Sequence, residues 1–180
     1  MISIVMQRFL VIGSGGAGKS TFAMRLAERT GLPLIHLDAL YWRAGWIEPA
    51  KAEWAARVEQ LVTAERWIMD GNFGGTLERR FAACDTVIFL DLSRWLCLWR
   101  VLIRRVRYRG QVRPAMAAGC HERLSLRFIG WILGYPQKHR PMILQRLAEM
   151  RAEQRVIVLR TPREVANFLE SVACVSPPAA

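Results

Sequence analysis

The stretch Gly13-Ser14-Gly15-Gly16-Ala17-Gly18-Lys19-Ser20 constrains the chain most, because it joins an apolar run, Phe9-Leu10-Val11-Ile12, to an amphipathic one, Thr21 to Arg29. Its spacing fits G-x-x-x-x-G-K-[ST], in which glycines let the backbone curl and turn successive N–H groups inward. A helix that begins where the curl ends offers its positive end to an anion. Lys19 would reach the β- and γ-phosphates of a nucleotide, and the Ser20 hydroxyl would ligate Mg²⁺. Residues Gly13 to Thr21 are therefore expected to form a strand-to-helix turn that holds a nucleoside triphosphate.

The remaining composition bounds what such a site can serve. Charges interrupt every apolar run well short of the roughly 18 residues of a membrane span, so no span and no membrane partner are expected. The start, Met1 to Leu10, has no small-residue cleavage site and runs straight into the phosphate loop, which reads as cytoplasmic. Cys84, Cys97, Cys120 and Cys174 lie far apart without a C-x-x-C pair and read as reduced, structural thiols. Cys120-His121 lacks further ligands at metal spacing. The 180 residues carry 23 arginines, three lysines and a formal charge of +11. Such a balance favours anionic partners, nucleotides first and nucleic acid second.

Leu34-Ile35-His36-Leu37 reads as a buried strand ending at Asp38, one βα unit after the phosphate loop. A carboxylate there would face the crevice where α/β sheets bind ligands. Asp38 is thus the candidate contact to a phosphoryl acceptor, as general base or as hydrogen-bond anchor; a helix N-cap is the plainer account. Trp42 and Trp46 would stack on a ring or pack a lid. Lys51 to Glu65 has helical spacing through Trp54, Val58 and Leu61. The strand Arg66-Trp67-Ile68-Met69 ends in Asp70, the expected Mg²⁺-organising carboxylate, acting through water. Thr86 to Leu90 ends in a competitor, Asp91.

Ser93 to Arg109 reads as a helix that buries Trp95, Leu98, Trp99, Leu102 and Val106 and groups Arg100, Arg104 and Arg107 on another face. No acid occurs between Asp91 and Glu122, so several of these arginines are expected to meet phosphate. Gly110 to His121 reads as a mobile loop, with Arg109 and Arg113 best placed to stabilise charge during transfer. Helices over Glu122 to Leu133 and Pro141 to Glu153 are joined by a Gly-Tyr-Pro turn. A last strand, Arg155 to Leu159, and a last helix, Pro162 to Val172, follow. Five strands alternating with helices give an α/β fold with a parallel sheet covered on both faces. One domain is expected over 1–175, with 176–180 a disordered tail.

Taken together, these pieces resemble the P-loop nucleotide and small-molecule kinases, and among them the adenylate-kinase-related DNA topology modulation proteins. The resemblance rests on Gly13 to Thr21, Leu37-Asp38-Ala39-Leu40-Tyr41-Trp42 with Gly45-Trp46, and Trp67 to Phe73. Val87 to Asp91, Trp99-Arg100 through Arg105, Arg109-Gly110, Arg113-Pro114 and Gly119 to Arg123 complete it. It implies a three-layer P-loop NTPase fold with sheet order 2-3-1-4-5, an acceptor-binding region over 38–65 and an arginine-rich lid over 109–122. It also implies Asp70 beside Mg²⁺. Asp70-Gly71-Asn72-Phe73 lacks the proline and arginine that adenylate kinases carry after Asp-Gly, which argues against AMP as acceptor.

Two functions fit. One is an ATP- and Mg²⁺-dependent phosphotransferase acting on a small acceptor, such as a nucleoside or nucleotide. The other is a nucleotide-dependent, nucleic-acid-binding regulator whose arginine helix tracks a phosphate backbone. No helix-turn-helix, zinc knuckle or basic-aromatic single-strand pattern occurs, so the first leads; a third option, a signalling GTPase, is disfavoured because no N-K-x-D segment occurs.

Overall fold

A computed structural model describes residues 6–172. Cys174, the tail 176–180 and most of the apolar start lie outside the described residues. In chain order the elements are β1 (Arg8–Gly13), α1 (Lys19–Thr30), β2 (Leu34–His36), α2 (Leu37–Tyr41), α3 (Lys51–Val62), β3 (Trp67–Asp70) and α4 (Gly74–Ala83). β4 (Thr86–Leu90), α5 (Arg94–Arg107), α6 (Leu126–Lys138), α7 (Arg140–Ala148), β5 (Arg155–Leu159) and α8 (Pro162–Ser171) follow. All five strands are parallel in the order β2-β3-β1-β4-β5, as the family resemblance implied.

β1 is central and buried from Phe9 to Gly13, which is why its sequence is a continuous apolar run rather than an alternating one. Period-two geometry splits that run between two cores. Phe9 and Val11 pack with Phe22, Leu26, Cys97, Val101 and Leu169, from α1, α5 and α8. Leu10 and Ile12 pack with Phe81, Tyr135, Ile143 and Leu147, from α4, α6 and α7. The parallel register aligns the C-terminal strand ends, with Val11 opposite Asp70 and His36 opposite Asp70.

Several expectations are corrected. β2 stops at His36, and Leu37–Tyr41 is helical because Leu37 turns in to pack with Trp54 and Val58. The stretch 74–83, assigned no element above, forms α4, which opens on Gly74-Gly75 and buries Thr76, Arg80 and Phe81. α6 runs through Gly134-Tyr135-Pro136 instead of turning there. Pro136 sits in its last turns, where the one forfeited backbone bond is offset by burial of Ile132 and Tyr135.

The largest correction concerns α5. Trp95, Trp99, Leu102 and Val106 are 65%, 60%, 40% and 77% exposed, while Cys97 and Val101 are fully buried. Gly16 explains the inversion, since a Cβ there would collide with the Cys97 carbonyl. The phosphate loop approaches α5 at backbone distance, so the helix must turn its Cys97, Arg100, Val101 and Arg104 side inward.

Candidate active site

The phosphate loop is held from two sides. Asn72, just past β3, accepts from the Gly13 N–H at 3.2 Å and donates to the Gly13 carbonyl at 2.7 Å. Arg80 of α4 in turn donates to the carbonyls of Gly71, Asn72 and Phe73. Its guanidinium is fully buried with no carboxylate partner among the described residues, and burial pushes its pKa down to about 9, leaving it protonated at neutral pH. On the other side, Arg100 of α5 donates to the Ala17 carbonyl at 3.2 Å. Gly16 and Gly18 sit at φ +81° and +91°, which L side chains rarely adopt.

Within this frame the loop fits a phosphate. α1 begins at Lys19 with Gly18 as N-cap, no side-chain cap and no acid in its first turn. Its leading N–H donors therefore lack side-chain acceptors, the condition an anion relieves. Lys19 Nζ donates to the carbonyls of Gly13 and Ser14 at 3.0 and 3.1 Å, which keeps the ammonium against the loop. Burial lowers its pKa; Asp38 and Asp70 act the other way.

Gly15 to Thr21 line a cleft of about 1030 Å³ together with Asp38, Asp70 and a series of arginines from α5 and the 109–127 region. Asp70 is 3% exposed, and its Oδ1 lies 2.8 Å from His36 Nδ1. An ionised carboxylate can only accept, so in that state Nδ1 carries the proton. His36 is a residue that the sequence reading passed over, although it pairs with Asp70 across β2 and β3. Ser20 and Asp70 share the cleft, and Mg²⁺ usually takes one or two side chains, its remaining ligands being waters and phosphates. The described residues hold no group of three or more metal-ligating side chains, which that coordination does not need.

Asp38 lies in the first turn of α2 and keeps 39% of its side-chain surface open to the cleft. Crowding by the cleft walls raises its pKa, opposed first by Lys19 and then by Arg113. Arg113 reaches Asp38 Oδ2 at 3.5 Å, and its Nε lies 3.2 Å from Glu122 Oε2. Glu122, 5% exposed, also accepts from Arg104 Nε at 2.9 Å. One buried carboxylate thus holds two cleft arginines in place. Arg109 does not join them: it is exposed, and its backbone bridges to Glu122 at the base of the 109–122 loop. Asp91 is also elsewhere, gripped by Arg140 of α7 through three hydrogen bonds of 2.8 to 3.0 Å.

Trp42 and Trp46 line the cleft and pack edge to face, ring centroids 5.2 Å apart. Trp46 also donates to the His121 carbonyl at 3.0 Å and lies under the Arg123 guanidinium. These contacts, with Gly45 N–H donating to the Gly119 carbonyl, latch the 38–48 segment to the 109–122 loop.

No protein-family model and no curated protein matches the chain. Solved structures do. A shikimate kinase from Acinetobacter baumannii in complex with shikimate superposes with a TM-score of 0.56 at 16% identity, covering 93% of this chain and 91% of that one. A shikimate kinase from Bacteroides thetaiotaomicron gives 0.53 at 15% identity, over 92% and 95% of the two chains. A deoxyadenosine kinase from M. mycoides gives 0.51 at 14% identity, over 90% and 94%. The sheet order and the helices around it are those of these P-loop kinases.

Proposed function

We propose that the protein is an ATP-dependent phosphotransferase that moves the γ-phosphoryl group to a hydroxyl of a small acceptor, a nucleoside or nucleotide among the candidates. The observation that carries the reading is convergence: the uncapped start of α1, Lys19, Asp70, Asp38 and the arginines meet in one cleft. When bound, ATP would supply the transferable group and Mg²⁺ would neutralise charge on its phosphates. Ser20 and Asp70 would hold the metal, Asp70 through water. Lys19 and the amides of Gly15 to Thr21 would bind the phosphates, Gly13 and Ser14 shaping the loop behind them. Arg113, with Arg100 and Arg104, would stabilise charge as it develops on the transferring group.

Asp38 is assigned the acceptor side, taking the hydroxyl proton or anchoring the acceptor; its raised pKa favours the proton-accepting role. Arg109, exposed outside the cleft, is given no part in transfer. We extend the proposal to a single domain over 1–175 with the 109–122 loop as lid. The resemblance to DNA topology modulation proteins suggests the second reading, a nucleic-acid-dependent switch, and the +11 charge favours it.

One assay tests both: ATP consumption with Mg²⁺ across nucleosides, nucleoside monophosphates, small sugars and hydroxylated metabolites, with duplex DNA as a further additive. A phosphorylated small acceptor is the expected result. Hydrolysis stimulated by DNA alone would overturn it in favour of the switch.

A further inference from the structure

α5 has two working faces, and the phosphotransfer reading uses only one. Trp95, Trp99, Leu102 and Val106 recur at helical spacing on the side away from Cys97 and Val101, and Ile103 beside them is 46% exposed. Monomeric proteins seldom leave so many large apolar side chains together in water. Helical geometry sets Arg94 and Arg105 along one edge of this stripe, while Ile103 and Arg107 at its other edge also line the cleft; the Arg94 guanidinium lies 5.6 Å from the Trp95 ring centroid.

The surrounding charge is one-sided. From 92 to 148 the chain has eleven arginines, one lysine and a single acid, Glu122. That acid is buried and committed to Arg104 and Arg113. Leu126 of α6 and Met142 of α7 are further exposed apolar side chains within this stretch of chain, 87% and 59% accessible.

We infer that the outer face of α5 docks on an anionic lipid surface, with the Trp95-to-Val106 stripe at the headgroup boundary and the flanking arginines on lipid phosphates. A helix with a tryptophan-rich apolar face edged by arginine binds in the plane of such an interface, and each cation near an anionic leaflet adds attraction. No helix among the described residues is long and apolar enough to cross a membrane, so the contact is peripheral. It departs from the expectation of no membrane partner, which counted spans only.

Two other occupants fit less well. Nucleic acid would satisfy the arginines but leave Leu102, Ile103 and Val106 uncovered, because its phosphate backbone offers no apolar surface. A second copy placed by a twofold axis would set arginine rows against each other with no exposed acid in 92–148 to pair them.

The test uses the full chain and vesicles of phosphatidylglycerol mixed with phosphatidylcholine, against phosphatidylcholine alone, read by co-sedimentation. Binding to the anionic vesicles that weakens with added salt is expected. Val106→Glu, at a 77% exposed position, should weaken partition about tenfold or more, with Trp99→Ser weaker in the same direction, and both should melt and turn over ATP like the unmodified protein. Equal binding to neutral vesicles, no binding to either, or unaltered binding by Val106→Glu would overturn the inference. So would self-association, or duplex DNA binding without vesicle binding, that Val106→Glu abolishes. The inference stands apart from the phosphotransfer reading, since partition is measured without ATP.

Discussion

Asp70 and Asp91 each end an apolar strand that flanks β1, one on either side, and by sequence pattern alone they are equivalent. Their surroundings make them opposites. Asp70 faces the cleft with His36 as its one side-chain partner among the described residues. Asp91 lies outside the cleft with both oxygens gripped by Arg140 and Arg160 Nε 4.0 Å away. A strand-end carboxylate can serve a metal only where no other element neutralises it first. Which strand that is depends on α7, 49 residues further along the chain.

The two carboxylates can be exchanged experimentally. Asp70→Asn should lower kcat by about 10²- to 10³-fold, the scale of losing one preorganised electrostatic group, with little change in melting. Asp91→Asn should keep kcat within about twofold. The reverse pattern would move the Mg²⁺-organising role to β4.

Stability should divide in a complementary way. The segment after β3 is pinned from within its own βα unit by Arg80, and removing that guanidinium takes the donor from the buried Gly71 carbonyl and the half-buried Asn72 carbonyl, while the Phe73 carbonyl keeps Thr76. Part of this loss is recovered, because an unpaired charge no longer has to be buried. Arg80→Met should still cost about 2 kcal/mol by chemical denaturation and raise KM for ATP, because Asn72 then no longer fixes Gly13. The end of β4 is pinned from a distance, by a pair whose arginine is 37% exposed. Asp91→Asn should accordingly cost only about 1 kcal/mol. Equal losses would mean that the two strand ends are supported alike.

The same contrast sets how much could be read from sequence. The glycine-rich turn from β1 into α1, the five strands and the place of Asp70 at the end of β3 were legible because glycine spacing and apolar runs are local signals. α4 was not, since Gly74-Gly75 signals a loop and only the burial of Thr76, Arg80 and Phe81 makes a helix there. The orientation of α5 runs against its sequence pattern at every expected core position but Leu98. Amphipathic logic puts tryptophans inward, but Gly16 needs a backbone neighbour and the cleft draws Arg100 and Arg104 inward. His36 and Arg140 were missed because each matters only through a partner 34 or 49 residues away.

The smallest expected effect separates the ends by titration. If Asp38 takes the acceptor's proton, transfer must fall as pH drops through its pKa, and because burial raises that pKa the acid limb lies above the ordinary carboxylate range. Arg113 opposes the raising, so Arg113→Gln should move the acid limb of kcat to still higher pH, whatever it does to the plateau rate. Asp91→Asn lies outside the groups that act on Asp38 and should leave the limb in place. Folding stability carries the matching sign: a carboxyl whose pKa is raised on folding destabilises the fold once ionised, so Asp38→Asn should leave stability at neutral pH unchanged or higher. An acid limb that Arg113→Gln leaves unmoved would remove Asp38 from proton transfer and leave it as an anchor for the acceptor.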